Sequence, residues 1–457
     1  MLEKLPRARL ETVPHYDWDE LVQDDRVHRT LYTDPNIFAR EMAQVFGGTW
    51  VYLAHESQIP NNNDFITGKL GLRPLIITRD GNGKIRALFN RCTHRGTTLC
   101  RWDKGNTKSF QCPYHGWNFL NTGKLRGVPW PDGYTADIRD ERFNLAQLER
   151  VESYRGFIFG TLNPDMPPLI DWLGPITRPI DDWLDRNPGG KVVVCEANRL
   201  KYKGNWKLAY DNSADGYHVI YSHRSLIETE NRFRQDDKEK GMAFYKGTPD
   251  KLEMYVAYTG NGHHYKDKRP NIEKRAGGLW AIESLHPGME YYAEKLRARL
   301  GARAESALDL AGSEPVNINV FPNLSLLGNH IQVIEPVSVD ETNAVWYGTR
   351  IEDDGTWGQE TIDDVNALRM RTQEGFPNLG EVDDITNFEQ IQRGLACLED
   401  EWVYMNRGYD MPERFRTDAQ GVIYGPATDE VFMREYIKEW KRLMAADPHL
   451  VVRREVK

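Results

Sequence analysis

Two short runs of this 457-residue chain mix sulfur and nitrogen donors: Cys92-Thr93-His94, with Gly96 close behind, and Cys112-Pro113-Tyr114-His115-Gly116. The chain has only five cysteines and twelve histidines to spend on such pairs. A structural zinc site usually groups its cysteines on one turn and its histidines on another. Here each turn is mixed, and 17 residues part His94 from Cys112. Mixed turns suit a binuclear group clamped by two loops, each loop handing one ligand to each metal.

A Rieske [2Fe–2S] cluster has that division, with two thiolates on one iron and two imidazoles on the other. Cys92 and Cys112 would then hold one iron, and His94 and His115 the other. Replacing two anionic thiolates by neutral imidazoles makes the cluster easier to reduce. Gly96 and Gly116 would let the backbone turn sharply beside the inorganic core. Cys100, Cys195 and Cys397 lack such company and read as small core hydrophobes.

A second constellation is Asp215, His218 and His223 in "DNSADGYHVIYSH" (211–223). On a helix Asp215 and His218, three apart, share a face. His218 and His223, five apart, differ by about 140° on a regular helix. They converge on one metal only if the helix bulges or ends before His223, and such an irregularity is expected there. A 2-His-1-carboxylate iron site needs an acid as well, and leaves coordination positions open. "EVDDITNFEQIQRGL" (381–395) offers Asp383 and Asp384, neighbours that should face differently on a helix. Those acids could equally serve the helix N-terminus and its dipole.

Elements must carry these residues. From about 44 to 162 the chain reads as short strands broken by turns: 74–90 around Asp-Gly-Asn-Gly, 117–128 around Asn121-Thr122-Gly123, and a closing run at 154–164. Beyond it come a strand in 191–207, a helix over 208–223, a helix over 289–305, and antiparallel strands across 316–350 with 340–344 as a turn. Helices follow near 358–374, 384–399 and 428–446. This predicts an α+β chain, a small all-β domain at 44–162 and a larger domain of 1–43 with 163–457. His263-His264 lies in a Gly- and Lys-rich stretch that reads as a mobile loop, a candidate lid. The net charge of −9 gives no footprint for nucleic acid or an anionic membrane. No apolar run approaches a membrane span, and the scattered odd number of cysteines suits a reducing, cytoplasmic setting.

"CTHRG", "CPYHGW", "GNWKLAYDN", "DGYHVIYSH" and "VDDITNFEQ" resemble, in order and spacing, the α subunit of Rieske non-haem iron ring-hydroxylating oxygenases. The resemblance spans nearly the whole chain and implies a β-rich Rieske domain and a helix-grip-like catalytic domain. It implies a [2Fe–2S] cluster and a mononuclear Fe(II) held by His218, His223 and Asp384. It sets Asn212 beside that iron, and gives Asp215 the task of linking His218 to a neighbouring subunit's cluster. One departure is Asp211, where relatives often carry Glu. The implied reaction is O2 insertion into an aromatic ring, as cis-dihydroxylation or hydroxylation. Electrons would come from NAD(P)H through a flavin reductase and often a ferredoxin; no G-x-G-x-x-G fingerprint is present in the chain itself. The implied assembly is α3, or α3β3 with a small β subunit. Residues 49–65 resemble benzoate-, toluate- and anthranilate-type oxygenases, whereas "VDDITNFEQIQRGL" resembles the biphenyl and alkylbenzene branch. An aromatic carboxylate such as benzoate, salicylate or anthranilate is the favoured substrate class. Biphenyl or a polycyclic hydrocarbon is the alternative. A Rieske monooxygenase or O-demethylase would share the metal sites, and a non-catalytic Rieske carrier would leave His218 and His223 without a task.

Overall fold

The computed structural model describes residues 16–225, 228, 254–268, 289–308, 310, 316–372 and 379–446. It forms two compact units, one of residues 41–172 and one of residues up to Arg40 with Leu173–Ala446.

The smaller unit contains three antiparallel sheets. Ile85–Phe89, Arg73–Arg79, Asp64–Leu70 and Lys104–Asn106 form the first, in that order; Ser109–Gln111, Asn118–Leu120 and Leu125–Gly127 form the second. The third joins Arg150–Tyr154, Phe157–Thr161 and Val51–His55. The hairpins at 74–90 and 117–128 have the expected turns, the second closed by Gly123 at φ +89°. The 154–164 run is not one strand: it straddles a turn at Arg155-Gly156, both at positive φ. Phe65, Ile76, Leu88, Phe110 and Phe119 fill the core, and Cys92 and Cys112 belong to the same cluster. Both loops are thereby tethered to packed apolar residues.

The larger unit is built on a nine-stranded antiparallel sheet. Its order is Val193–Tyr202, Glu341–Arg350, His330–Ser338, Leu324–Leu327, Val316–Val320, His263–Asp267, Tyr255–Gly260, Ile423–Pro426 and Arg416–Thr417. Strand Val316–Val320 is buried on both faces, and alternation puts Val316, Ile318 and Val320 on one side with Asn317 and Asn319 on the other. Helices Met289–Leu300 and Gln359–Thr372 pack together through Tyr292, Leu296, Ile362 and Val365. Helices Trp206–Ser213, Leu379–Gly394 and Val431–Ala445 complete the unit. The described part of the N-terminal forty residues belongs to this unit, with Arg26–His28 pairing Trp402–Tyr404.

Four expectations need correction. His263 and His264 are not in a mobile loop; they are fully buried in a strand whose hairpin turns at Asn261-Gly262. Residues 340–344 are not a turn, because the Glu341–Arg350 strand begins inside them and the reversal is confined to Val339-Asp340. Cys195 and Cys397 are exposed rather than core residues. The helix expected over 208–223 stops at Ser213. Among the described residues no helix is long and apolar enough to cross a membrane.

Candidate metal centres

The first centre consists of two turns of one design. Gly96 N donates to Cys92 O (2.9 Å) and Cys92 N to Thr97 O (2.8 Å); Gly116 N donates to Cys112 O (3.0 Å) and Cys112 N to Trp117 O (2.7 Å). The offsets are the same in both loops, and each turn needs its glycine: φ is +80° at Gly96 and +72° at Gly116. Cys92 and Cys112 are buried, the His94 and His115 rings lie 4.7 Å apart, and His94 stacks on Trp117 at 4.9 Å. His94 Nδ1 is buried with no hydrogen-bond partner. Burial pushes the Cys92 thiol up, with the Cys112 sulfur adding to it. A thiolate there therefore needs a cation beside it. Paired thiols, paired imidazoles and an unpaired ring nitrogen fit a Rieske cluster.

The second centre depends on how the helix at 206–213 ends. Asn205 caps its start by accepting from Lys207 N (3.1 Å). At its other end Asp215 Oδ1 accepts from Tyr217 N (2.6 Å), an Asx-type turn that competes with helix. Gly216 donates to Ala427 O (2.8 Å), and a Cβ at that position would sit 2.9 Å from the same oxygen. Only glycine passes there. The chain then makes a single helical turn, Val219–Ser222, flanked by His218 and His223. Asp215 and His218 thus meet through a turn, not along a helix face, and the two imidazoles converge because the helix ends first.

Helix Leu379–Gly394 supplies the acid. Asp384 Oδ1 lies 3.6 Å from His218 Nε2 and 3.3 Å from His223 Nε2. Among the described residues these three form the one group whose ligand atoms all lie within 4.8 Å. The rest of the motif anchors the helix: Glu389 accepts from Lys203 N (3.1 Å), Gln392 from Asn205 N (2.9 Å), and Asn387 Nδ2 donates to Ser222 Oγ (3.1 Å). Each Nε2 faces Asp384, and each Nδ1 faces another carboxylate. Asp215 Oδ2 is 3.2 Å from His218 Nδ1, and Asp383 Oδ2 is 3.4 Å from His223 Nδ1. Sequence reasoning had set Asp383 aside; its adjacency to Asp384 on a helix was the available signal.

The electrostatics describe a donor set short of a cation. Burial raises the Asp384 carboxyl, only partly countered by His218, His223, Lys266 and a hydrogen bond from Asn212. Asp384 Oδ1 is itself buried without a hydrogen-bond partner. Burial lowers His223, so its ring is held neutral, the form that binds metal. Burial would raise Asp215 too, but His218, the Tyr217 amide and Lys266 outweigh it and keep the group ionised. Two imidazoles and a carboxylate brought within reach of one another fit non-haem Fe(II) with open coordination positions. Asp211 takes no part: it accepts from the Tyr32 (3.0 Å) and Tyr436 hydroxyls, and burial pushes it up to about 6.

Residues 49–149 match the Rieske [2Fe-2S] domain family, and residues 190–446 match the catalytic domain of the ring hydroxylating alpha subunit family. The chain is 34% identical to the toluate 1,2-dioxygenase subunit alpha of Pseudomonas putida over 397 residues, covering 83% of this chain and 82% of that protein. It is 32% identical over 401 residues to the anthranilate 1,2-dioxygenase large subunit of Acinetobacter baylyi, covering 84% and 80%. It superposes on a naphthalene 1,2-dioxygenase from Rhodococcus sp. bound to indole with a TM-score of 0.75 and 28% identity, over 92% of this chain and 95% of that one. Two such centres on this sequence, matched along both units, make the chain a member of the ring-hydroxylating dioxygenase α subunits, oxidoreductases with a Rieske cluster and a non-haem iron.

Proposed function

We propose that this α subunit hydroxylates an aromatic carboxylate of the benzoate, salicylate or anthranilate type. The observation that carries the reading is the buried cation Lys266, which donates to the Asp215 carbonyl (3.0 Å). It stands on the sheet face that meets the metal-bearing segment, paired across the strands with Asn317. A buried substrate carboxylate requires a charge-assisted partner, and Lys266, which also offsets the Asp215 and Asp384 carboxylates, adds positive field on that face. The relatives named for toluate and anthranilate support the same class.

In this reading Cys92 and Cys112 hold one iron of the cluster, and His94 and His115 the other. His218, His223 and Asp384 hold the mononuclear iron. When bound, the two groups supply one-electron transfer and oxygen activation. The chain's own residues do the positioning. Asp215 fixes His218 through Nδ1 and is the side chain that would extend toward a neighbouring subunit's cluster; Asp383 fixes His223; Asn212 holds Asp384. Electrons come from NAD(P)H through a flavin reductase, with or without a ferredoxin, and the assembly is α3 or α3β3. A cytoplasmic setting fits five cysteines of which none is in a disulfide.

Product analysis tests the substrate class. The reconstituted enzyme is given isotopically labelled O2 with benzoate, salicylate, anthranilate, biphenyl and naphthalene in turn. Labelled hydroxylated products from the acids are expected. Turnover of the hydrocarbons alone would overturn the reading.

A further inference from the structure

The sheet face beneath residues 213–215 carries polar groups that the protein itself leaves unsatisfied. Asn317 Nδ2 donates to Ser213 O (3.2 Å) and Lys266 Nζ to Asp215 O (3.0 Å), so this face touches the chain that leads from Asn212 into His218. The cross-strand register continues through directly paired residues, His264 with Asn319, Asn319 with Ser325, and Ser325 with Gln332. Direct partners share a face with Cβ atoms about 4.5–5.5 Å apart, and diagonal ones lie about 7–8 Å apart. His264, Asn317, Asn319 and Ser325 are all more than nine-tenths buried.

Three atoms in this patch have no partner: His264 Nε2, Asn317 Oδ1 and Asn319 Nδ2. Their chemical roles follow from what their other ends do. A carbonyl only accepts, so Asn317 must turn its NH2 to Ser213 O and leave Oδ1 free as an acceptor. The same logic gives His264 an Nδ1–H toward Gly262 O (3.3 Å) and a bare lone pair on Nε2. Burial drives His264 down to about 3, so the ring stays neutral and Nε2 remains an acceptor. Ser325 Oγ donates to Asn319 Oδ1 (2.6 Å), leaving Asn319 Nδ2 as a donor. A buried unsatisfied polar atom costs roughly 1–3 kcal/mol, so this patch is built to meet polar atoms from elsewhere.

We infer that the patch of His264, Asn317 and Asn319 recognises a hydroxyl or amino substituent on the aromatic acid, ortho to or near its carboxylate. This rests on the aromatic-acid reading and narrows it. Two acceptors and one donor match a group that both donates and accepts. A carboxylate alone, which only accepts, matches one of the three. Lys266, on the same face beside Asn317, adds the positive field that an acid needs. The preferred substrates are therefore 2-hydroxy- or 2-aminobenzoates, ahead of benzoate and of alkylated benzoates of the same size.

The test is a paired comparison on the reconstituted holoenzyme: 2-hydroxybenzoate and 2-aminobenzoate against 2-methylbenzoate, similar in size but lacking the donor. Kd is read by calorimetry without reductant, and kcat/KM with the electron-transfer partners. The expected preference is about tenfold or more in both readouts, the value of one hydrogen bond of roughly 1.4 kcal/mol. Asn317→Leu should narrow that ratio by more than it changes the binding of 2-methylbenzoate. Equal Kd values for the three acids on the unmodified enzyme would overturn the inference while leaving the aromatic-acid reading intact. So would a substrate-complex crystal structure in which ordered waters, not substrate atoms, sit on His264 Nε2 and Asn317 Oδ1. Binding of naphthalene or biphenyl with none of the acids would instead remove the reading beneath it.

Discussion

Replacing Asp383 by alanine should weaken iron binding at the mononuclear site without touching the Rieske cluster. The carboxylate lies 3.4 Å from His223 Nδ1, and His223 Nε2 lies 3.3 Å from Asp384. With His223 as an iron ligand, as proposed, Asp383 would act on the metal through the far side of that ring: it would select the tautomer with the proton on Nδ1, fix the ring plane and raise the basicity of Nε2. Losing such a partner typically costs 10–100-fold in metal affinity, about 1.4–2.7 kcal/mol. The side chain is 29% exposed, so water replaces part of what is lost and the lower half of that range is expected. The assay is chelator competition for Fe(II) on purified protein, with cluster absorbance as an internal control for folding. Asp383→Asn separates the causes: its amide oxygen still accepts from Nδ1–H, so it should retain more affinity than Asp383→Ala although both lose the charge. An Asp383→Ala protein that binds Fe(II) within twofold of the parent would refute the positioning role. Equal losses in the alanine and asparagine variants would refute the hydrogen-bond account and leave only long-range charge.

Two further outcomes follow from the geometry. Gly116→Ala places a side chain at φ +72°, with its Cβ 3.0 Å from Pro129 Cγ; a left-handed L-residue costs about 1–2 kcal/mol before that contact is counted. Cluster content and melting temperature should both fall, whereas Gly127→Ala, whose Cβ would meet nothing within 4 Å, should keep the cluster. His55 is buried and brought down to about 4 by desolvation, with Glu56 opposing. In the unfolded chain it titrates near 6.5, so the unfolded state takes up the proton first as pH falls. The stabilisation is complete above about 6.5 and is lost toward pH 4, by up to roughly 1.4 kcal/mol per pH unit from this residue. His55→Asn preserves an acceptor for Ser57 N, now 3.2 Å from His55 Nδ1. It should flatten the acid limb of a melting-temperature profile followed through the cluster; an unchanged slope would show that His55 is not its source.

Much of the smaller unit was legible because local chemistry decides it. Asp-Gly, Asn-Thr-Gly and the paired Cys/His loops each carry their own turn residues, and the structure uses those turns. The larger sheet was harder to read because its strands are joined across long separations. The hairpin of Tyr255–Gly260 and His263–Asp267 was taken for a loop on account of its glycines and lysines. Yet Asn261-Gly262 is a two-residue hairpin turn with both residues at positive φ. The polar residues flanking it gave no apolar alternation to read, since His264 and Lys266 serve the face that meets the metal-bearing segment.

Asp383 and Asp384 show why the site itself was only partly readable. Neighbours on a helix diverge by about 100°, and that divergence argued for a single acid at the metal. An imidazole, however, has two nitrogens on different edges. Two side chains that part company from one helix can close on the same ring from both sides, provided the ring stands between them. His223 does so here, with Asp384 at Nε2 and Asp383 at Nδ1. The ring takes that position because Gly216 admits the chain past Ala427 and the helix stops at Ser213. The paired acids and the interrupted helix are therefore one device, and a change that straightened the helix through 214–218 would cost His223 both carboxylates at once.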